Sequence, residues 1–170
     1  LQFSTDIASA VTNSNKIFIA VGTPTSAIDG GADLQYVYAV AQEIAPYLQQ
    51  DAIVVTKSTV PVGTGKRIYE IIATERPDLT FHVASNPEFL REGCAVQDFL
   101  YPDRVIVGSD SEVVERRMNK LYGMLAEHPP IVFTDIQTAE LAKYAANAFL
   151  ATRISFINEI ADICEKVDAN

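Results

Sequence analysis

The chain has 170 residues, 48% of them hydrophobic and 21% charged, enough for one domain with a real core. Its net charge of -9 argues against a nucleic-acid surface, where phosphates demand clustered Lys and Arg. No apolar run approaches the roughly 20 residues that span a bilayer, and no signal-peptide pattern opens the sequence. Cys94 and Cys164 form no metal-ligand spacing with His82 and His128. Reduced, cytosolic thiols are the expectation. Leu1 in place of Met predicts an excised or processed piece.

In chain order, apolar patterning predicts alternating strands and helices. Lys16 to Val21 reads as a buried strand. A loop at Asp29-Gly30-Gly31 leads to Asp33, a good N-cap for a helix with the stripe Leu34, Val37, Tyr38, Ala41, Ile44, Ala45 and Leu48. Ala52 to Thr56 is a second apolar strand, and Ile68, Ile71 and Ile72 mark a helix after Thr64. Thr80 to Ala84 is the third strand and Arg104 to Gly108 the fourth. Val114, Met118, Leu121, Tyr122 and Leu125 place a helix after Ser109, with Glu112 completing a possible capping box. Ile131-Val132-Phe133 is a short fifth strand. From about Asp135 to Val167 the pattern is helical and free of Gly and Pro, so this helix is expected to continue toward something further. Strands with little alternation, each followed by a helix, predict a parallel sheet covered on both faces.

In such a sheet, ligands bind beyond the carboxyl ends of the strands. Strand one runs into Gly22-Thr23-Pro24-Thr25, strand two into Lys57 through Gly65, and strand three into Ser85-Asn86-Pro87-Glu88-Phe89-Leu90-Arg91-Glu92-Gly93. Gly22 and Gly63 suit close backbone approach, while Pro24 and Pro61 stiffen the turns. Pro87 can start a helix, and a helical turn there would set Glu88 and Glu92 on one face. Glu88 then either serves a ligand crevice or complements a helix dipole. On the last helix Lys143 and Asn147 are spaced i and i+4 on an Ala-rich face. A lysine on a packed face meets a carboxylate or an anionic ligand; on a solvated edge it snorkels.

Together these segments resemble the UDP-glucose/GDP-mannose dehydrogenase family. The resemblance rests on Val21 to Thr25, Lys57 to Thr64, Asn86 to Gly93, Pro102-Asp103-Arg104 and Glu140 through Asn158. It implies a Rossmann-like α/β fold, with residues 1–134 the later part of an NAD-binding domain. Residues 135–170 would be the central long helix leading to a further domain. It also implies oxidation of the C6 alcohol of a nucleotide sugar, with UDP-glucose favoured, to a carboxylate through a cysteine thioester and two NAD. In that chemistry Glu88 is the base for thioester hydrolysis, Thr59 holds the water, Lys143 stabilises the oxyanion and Asn147 supports substrate oxygens. Phe89 and Leu90 match positions that embrace the sugar. Gly22, Thr23, Pro24, Ser58, Thr59 and Glu92 match positions near the dinucleotide.

The family's G-x-G-x-x-G turn would precede Leu1 and its nucleophilic cysteine would follow Asn170. Cys94 and Cys164 match neither motif and read as packing residues. GDP-mannose or a UDP-N-acetylhexosamine is the alternative substrate. A non-catalytic dimerisation module built on Phe149, Phe156, Ile160 and Ile163 is the alternative of another class. Family members are usually homodimers through this helix, and a cytoplasmic enzyme is expected.

Overall fold

The computed structural model describes residues 1–27, 30–125 and 129–169; Asp29 of the expected loop and His128 lie outside them. The elements in chain order are α1 (Ile7–Thr12), β1 (Lys16–Ile19), α2 (Gln35–Ile44), β2 (Ala52–Thr56), α3 (Thr64–Glu75), β3 (Phe81–Ser85), α4 (Ala95–Leu100), β4 (Val105–Gly108), α5 (Glu112–Tyr122), β5 (Ile131–Thr134) and α6 (Ile136–Lys166). Every residue of β2 is buried, as an apolar strand covered on both faces must be. β1 and β3 flank it in parallel, with Ile19 opposite Thr56 and Thr56 opposite Ser85. The carboxyl ends of all three therefore finish level, on one edge.

Helices cover both faces. From α1, α2 and α3, Val11, Val37, Ala41, Ile44, Ile68 and Ile72 pack with Ile19, Val54 and Val83. On the other face Val114, Met118 and Tyr122 of α5 meet Ile53, Val55 and Val107. The expected stripes of α2 and α5 are the buried ones. α2 starts one residue later than Asp33 alone suggests, yet the Asp33 carboxylate still accepts from the Gln35 N–H at 3.0 Å.

Two local expectations are corrected, and two short helices join the expected elements. The sheet, in order β1-β2-β3-β4-β5, is not wholly parallel: β3 and β4 meet antiparallel through the single pair Ser85 and Gly108. Its cause is the connection 86–104, which carries the short α4 and stays at the carboxyl edge of β3, so β4 returns instead of crossing over. β4 and β5 are parallel again. The capping box does not form: Ser111 stands at the N-cap of α5 without a side-chain cap bond. Ser109 Oγ instead donates to the Val83 carbonyl at 3.4 Å and accepts from the Ser111 N–H at 3.3 Å, tying the strands together. Finally, α1 and α4, with 6 residues each, are too short to leave a readable periodicity.

α6 begins as the sequence predicts. The Asp135 side chain caps it, accepting from the Thr138 N–H at 2.7 Å. Its first turns press closely on the sheet and on α3. A Cβ at Gly108 would lie 2.6 Å from the Ala139 Cβ, and one at Gly65 2.7 Å from Ile136 Cγ2. Within α6 the buried residues are Ala139, Glu140 and Lys143, while Phe149, Phe156, Ile160 and Ile163 are exposed. Among the described residues no helix is long and apolar enough to cross a membrane.

Candidate active site

The loops after β1 and β2 are laced together at the shared edge. Ser58 Oγ donates to the Val21 carbonyl at 2.6 Å, and Thr23 Oγ1 donates to the Thr59 carbonyl at 2.9 Å. Gly63, at φ 97, adopts the left-handed conformation that lets the second loop turn into α3. Gly22 and Pro24 are exposed, and a Cβ at Gly22 would meet nothing within 4 Å. The backbone there faces open space, so the close approach expected at Gly22 is not to this chain.

The third loop carries the charge. Asn86 is fully buried: its Nδ2 donates to the Ile106 carbonyl at 2.7 Å, and its Oδ1 accepts from the Tyr122 hydroxyl and, at 3.4 Å, from Lys57 Nζ. Pro87 is buried behind it, and Glu88 emerges half-buried. One Glu88 oxygen accepts from the Leu90 N–H at 2.6 Å; the other meets Lys143 Nζ at 3.0 Å. Lys143 is 7% exposed, so this ammonium is desolvated and depends on its partner. It also lies 5.4 Å from the centre of the Phe89 ring, which Arg104 approaches to 5.5 Å.

Residues 86–91 are not helical, so Glu88 and Glu92 do not share a helix face, and α4 starts too late for a dipole role. The Glu88 side chain takes the Leu90 N–H for itself, while the Asn86 side chain is drawn to Ile106 and Tyr122. Glu92 is exposed. Asn147 is exposed as well, so of the i, i+4 pair only Lys143 reaches the carboxylate. Cys94 is exposed at the start of α4, correcting its reading as a packing residue, while Cys164 is half-buried on α6.

A cavity of about 500 Å³ opens beside this cluster, lined by Lys57, Glu88, Phe89, Leu90, Arg104 and Tyr122 among others. Burial pushes the Glu88 carboxyl up, but the Leu90 N–H, Lys143 and Lys57 outweigh it and hold the group below its usual range. Glu88 is therefore ionised at neutral pH. Burial pulls Lys57 down to about 8, against the attraction of Glu88. Burial also lifts Tyr122 to about 12, so it stays a donor to Asn86. Across the loop, Arg91 clasps Asp98 through Nη2 at 2.6 Å and Nε at 3.0 Å, which drives the Asp98 carboxyl down to about 2.

Residues that sequence reasoning missed complete the site. Lys57, Asn86, Tyr122 and Arg104 gather around Glu88 from α5 and three loops, those after β2, after β3 and before β4. Glu140 is 1% exposed and accepts from the Gly63 and Gly65 N–H groups, each at 2.7 Å. It thereby caps α3 from α6 and fastens the Thr59 loop to the helix that carries Lys143. Burial raises the Glu140 carboxyl, the two N–H bonds opposing. A lone glutamate on a helix gives no warning of this; the close pair Gly63 and Gly65 at a helix start was the available signal.

Ionised acid, buried amine and a polar cavity at the carboxyl edge of a parallel sheet make a site for activating water and stabilising growing negative charge. The chain matches the NAD-binding domain of the UDP-glucose/GDP-mannose dehydrogenase family over residues 1–126, and that family's central domain over residues 137–170. The chain belongs to this family. It is 54% identical over 173 residues to a UDP-glucose 6-dehydrogenase of Rhizobium meliloti, covering 100% of the chain and 40% of that relative. A solved UDP-glucose dehydrogenase from Pyrobaculum islandicum is 41% identical with a TM-score of 0.87, over 93% of this chain and 37% of that one. GDP-mannose dehydrogenase from Pseudomonas aeruginosa, solved as a ternary complex, is 32% identical with a TM-score of 0.91, over 98% of this chain and 39% of that one. The family's cofactor is NAD. The open backbone at Gly22, level with the Thr23 and Ser58 loops, fits a dinucleotide lying along the edge.

Proposed function

We propose that the chain is part of a UDP-glucose 6-dehydrogenase, which oxidises the C6 alcohol of UDP-glucose to the carboxylate of UDP-glucuronate. Residues 1–134 would be the later part of its NAD-binding domain and residues 135–170 the central helix. The chain spans 40% of the Rhizobium meliloti relative, and in this reading the cysteine that carries the thioester is not one of the residues described above. What most supports the reading is the Glu88–Lys143 contact of 3.0 Å, which joins the loop after β3 to α6.

Bound NAD would supply the hydride acceptance that carrying C6 from the alcohol to the acid level requires twice. This chain's residues serve the hydrolysis that follows. Glu88, kept ionised, takes the proton of a water that the Thr59 side chain orients. As that water attacks the thioester carbonyl, negative charge grows on oxygen and the Lys143 ammonium offsets it; collapse then breaks the C–S bond, freeing the carboxylate and returning the cysteine thiolate. Asn147 supports substrate oxygens, and Phe89 and Leu90 enclose the sugar. Gly22, Thr23, Pro24, Ser58, Thr59 and Glu92 line the path of the dinucleotide.

A single-turnover reaction of the full-length protein tests this. Glu88→Gln, given UDP-glucose and NAD, should retain a covalent sugar adduct, visible by mass spectrometry, and release little UDP-glucuronate. Product at the wild-type rate with no adduct would contradict the role of Glu88. Product analysis with GDP-mannose and UDP-N-acetylhexosamines settles the sugar. We also propose a cytoplasmic homodimer through α6, on the strength of its exposed Phe149, Phe156, Ile160 and Ile163; light scattering checks the dimer.

A further inference from the structure

One amine in the cavity has no role in the chemistry above. Lys57 follows β2 directly, is half-buried, and lines the cavity together with Glu88, Phe89, Arg104 and Tyr122. Among the described residues it makes no ion pair, because the carboxylate in reach, Glu88, is taken by Lys143. Its ammonium donates, among the described residues, to Asn86 Oδ1 alone, at 3.4 Å, an oxygen already held by the Tyr122 hydroxyl. An ammonium withdrawn from water with so little compensation is costly, and a fold keeps one where its charge is used.

Its position shows what the charge can do. Asn86 is the last fixed point before Glu88: its amide is bonded to Ile106, it is fully buried, and Pro87 stiffens the step that follows. Whatever restrains the Asn86 side chain restrains where the Glu88 carboxylate emerges. Lys57 also attracts Glu88 directly and is repelled by Lys143, so both amines bear on one carboxylate. We propose that Lys57 is a positioning residue for Glu88, its ammonium clamping Asn86 and providing a second cation beside the base. This rests on Glu88 being the hydrolytic base.

Lys57 loses its proton at about 8, far below an ordinary lysine, so the clamp works below that pH and weakens above it. The titratable and charged groups facing it are Glu88 from the same edge, Lys143 from α6, Tyr122 from α5 and Arg104 ahead of β4. Tyr122, at about 12, titrates far above this window.

The experiment follows breakdown of the preformed covalent adduct in the full-length enzyme, in single turnover, across pH 6 to 10. This step excludes titration of the attacking thiol. In the wild type the rate should fall as pH rises through about 8. Lys57→Arg, which keeps its charge, should carry the rate on to higher pH. Lys57→Met should lose about tenfold near neutrality, less than the roughly 10²–10³-fold loss of a donor that touches an oxyanion, and show no fall near 8. KM for UDP-glucose should change little in either variant. Circular dichroism checks folding, and if Lys57→Met unfolds, Lys57→Arg alone carries the test. A Lys57→Arg profile that coincides with the wild type overturns the proposal. Failure of Glu88→Gln to hold the adduct would instead overturn the role of Glu88, whatever Lys57 does.

Discussion

α6 meets two carboxylates within one turn and treats them in opposite ways. Glu140 is its own residue, 1% exposed, and is solvated by the two N–H groups at the start of α3. Glu88 comes from the edge of β3, stays open to the cavity, and is paired with Lys143. Burial wins at Glu140 and lifts its carboxyl; the Leu90 N–H and the cations win at Glu88 and lower it. The difference separates structure from chemistry. A carboxylate buried against two backbone donors fastens two elements together, whereas one that is held by an N–H and an amine yet opens on the cavity can still meet a water.

The comparison breaks first at Glu140. Glu140→Leu in the full-length protein leaves two buried N–H groups without an acceptor, at a cost of about 1–3 kcal/mol each. A loss of about 3 kcal/mol is expected in denaturant unfolding, with Glu140→Gln, which still accepts once, between it and the wild type. An unfolding midpoint unchanged in Glu140→Leu would show that the cap contributes nothing.

The neutral bonds behind Glu88 should matter less. Tyr122→Phe removes one donor to Asn86 and leaves Lys57 as the other, so a loss of about 1 kcal/mol is expected in the same measurement. A much larger loss would mean that the Glu88 side of the site is as structural as the Glu140 side.

The smallest effect is the sharpest in sign. The folded-state value of Glu88 lies below its unfolded one, so its contribution is present above the ordinary carboxylate range and lost as pH falls through the folded value. Glu140 runs the other way: its contribution is complete below the unfolded value and is lost as pH rises through the raised folded one. As pH rises up to and through the ordinary carboxylate range the stability gap between wild type and Glu88→Gln should widen, and as pH rises above that range the gap for Glu140→Gln should narrow. Gaps that move together would refute the contrast.

Most of the frame was legible in the sequence, because apolar runs such as Ala52 to Thr56 and the α2 stripe depend on burial alone. The three loops on one edge followed from strand direction, and Lys143 stood out as a lysine among alanines. What stayed hidden depends on distant partners. Glu140 finds Gly65 across 75 positions, and Asn86 finds Tyr122 across 36. The antiparallel return of β4 was hidden for a related reason, since nothing between 86 and 104 signals that the chain stays on its own edge. Glu92 and Asn147 show the converse limit: regular spacing put them beside Glu88 and Lys143, but residues 86–91 form no helix, and Asn147, one turn beyond Lys143 on the same face, is exposed.

The most direct test is a double-mutant cycle on hydrolysis of the covalent adduct, with Glu88→Gln, Lys143→Met and both together in the full-length enzyme. If acid and amine work as a unit, each single change should slow the step by about 100-fold or more, and the double variant should be hardly slower than either. Losses that multiply in the double variant would mean that the two groups act independently, and the contact between them would not be the seat of the chemistry.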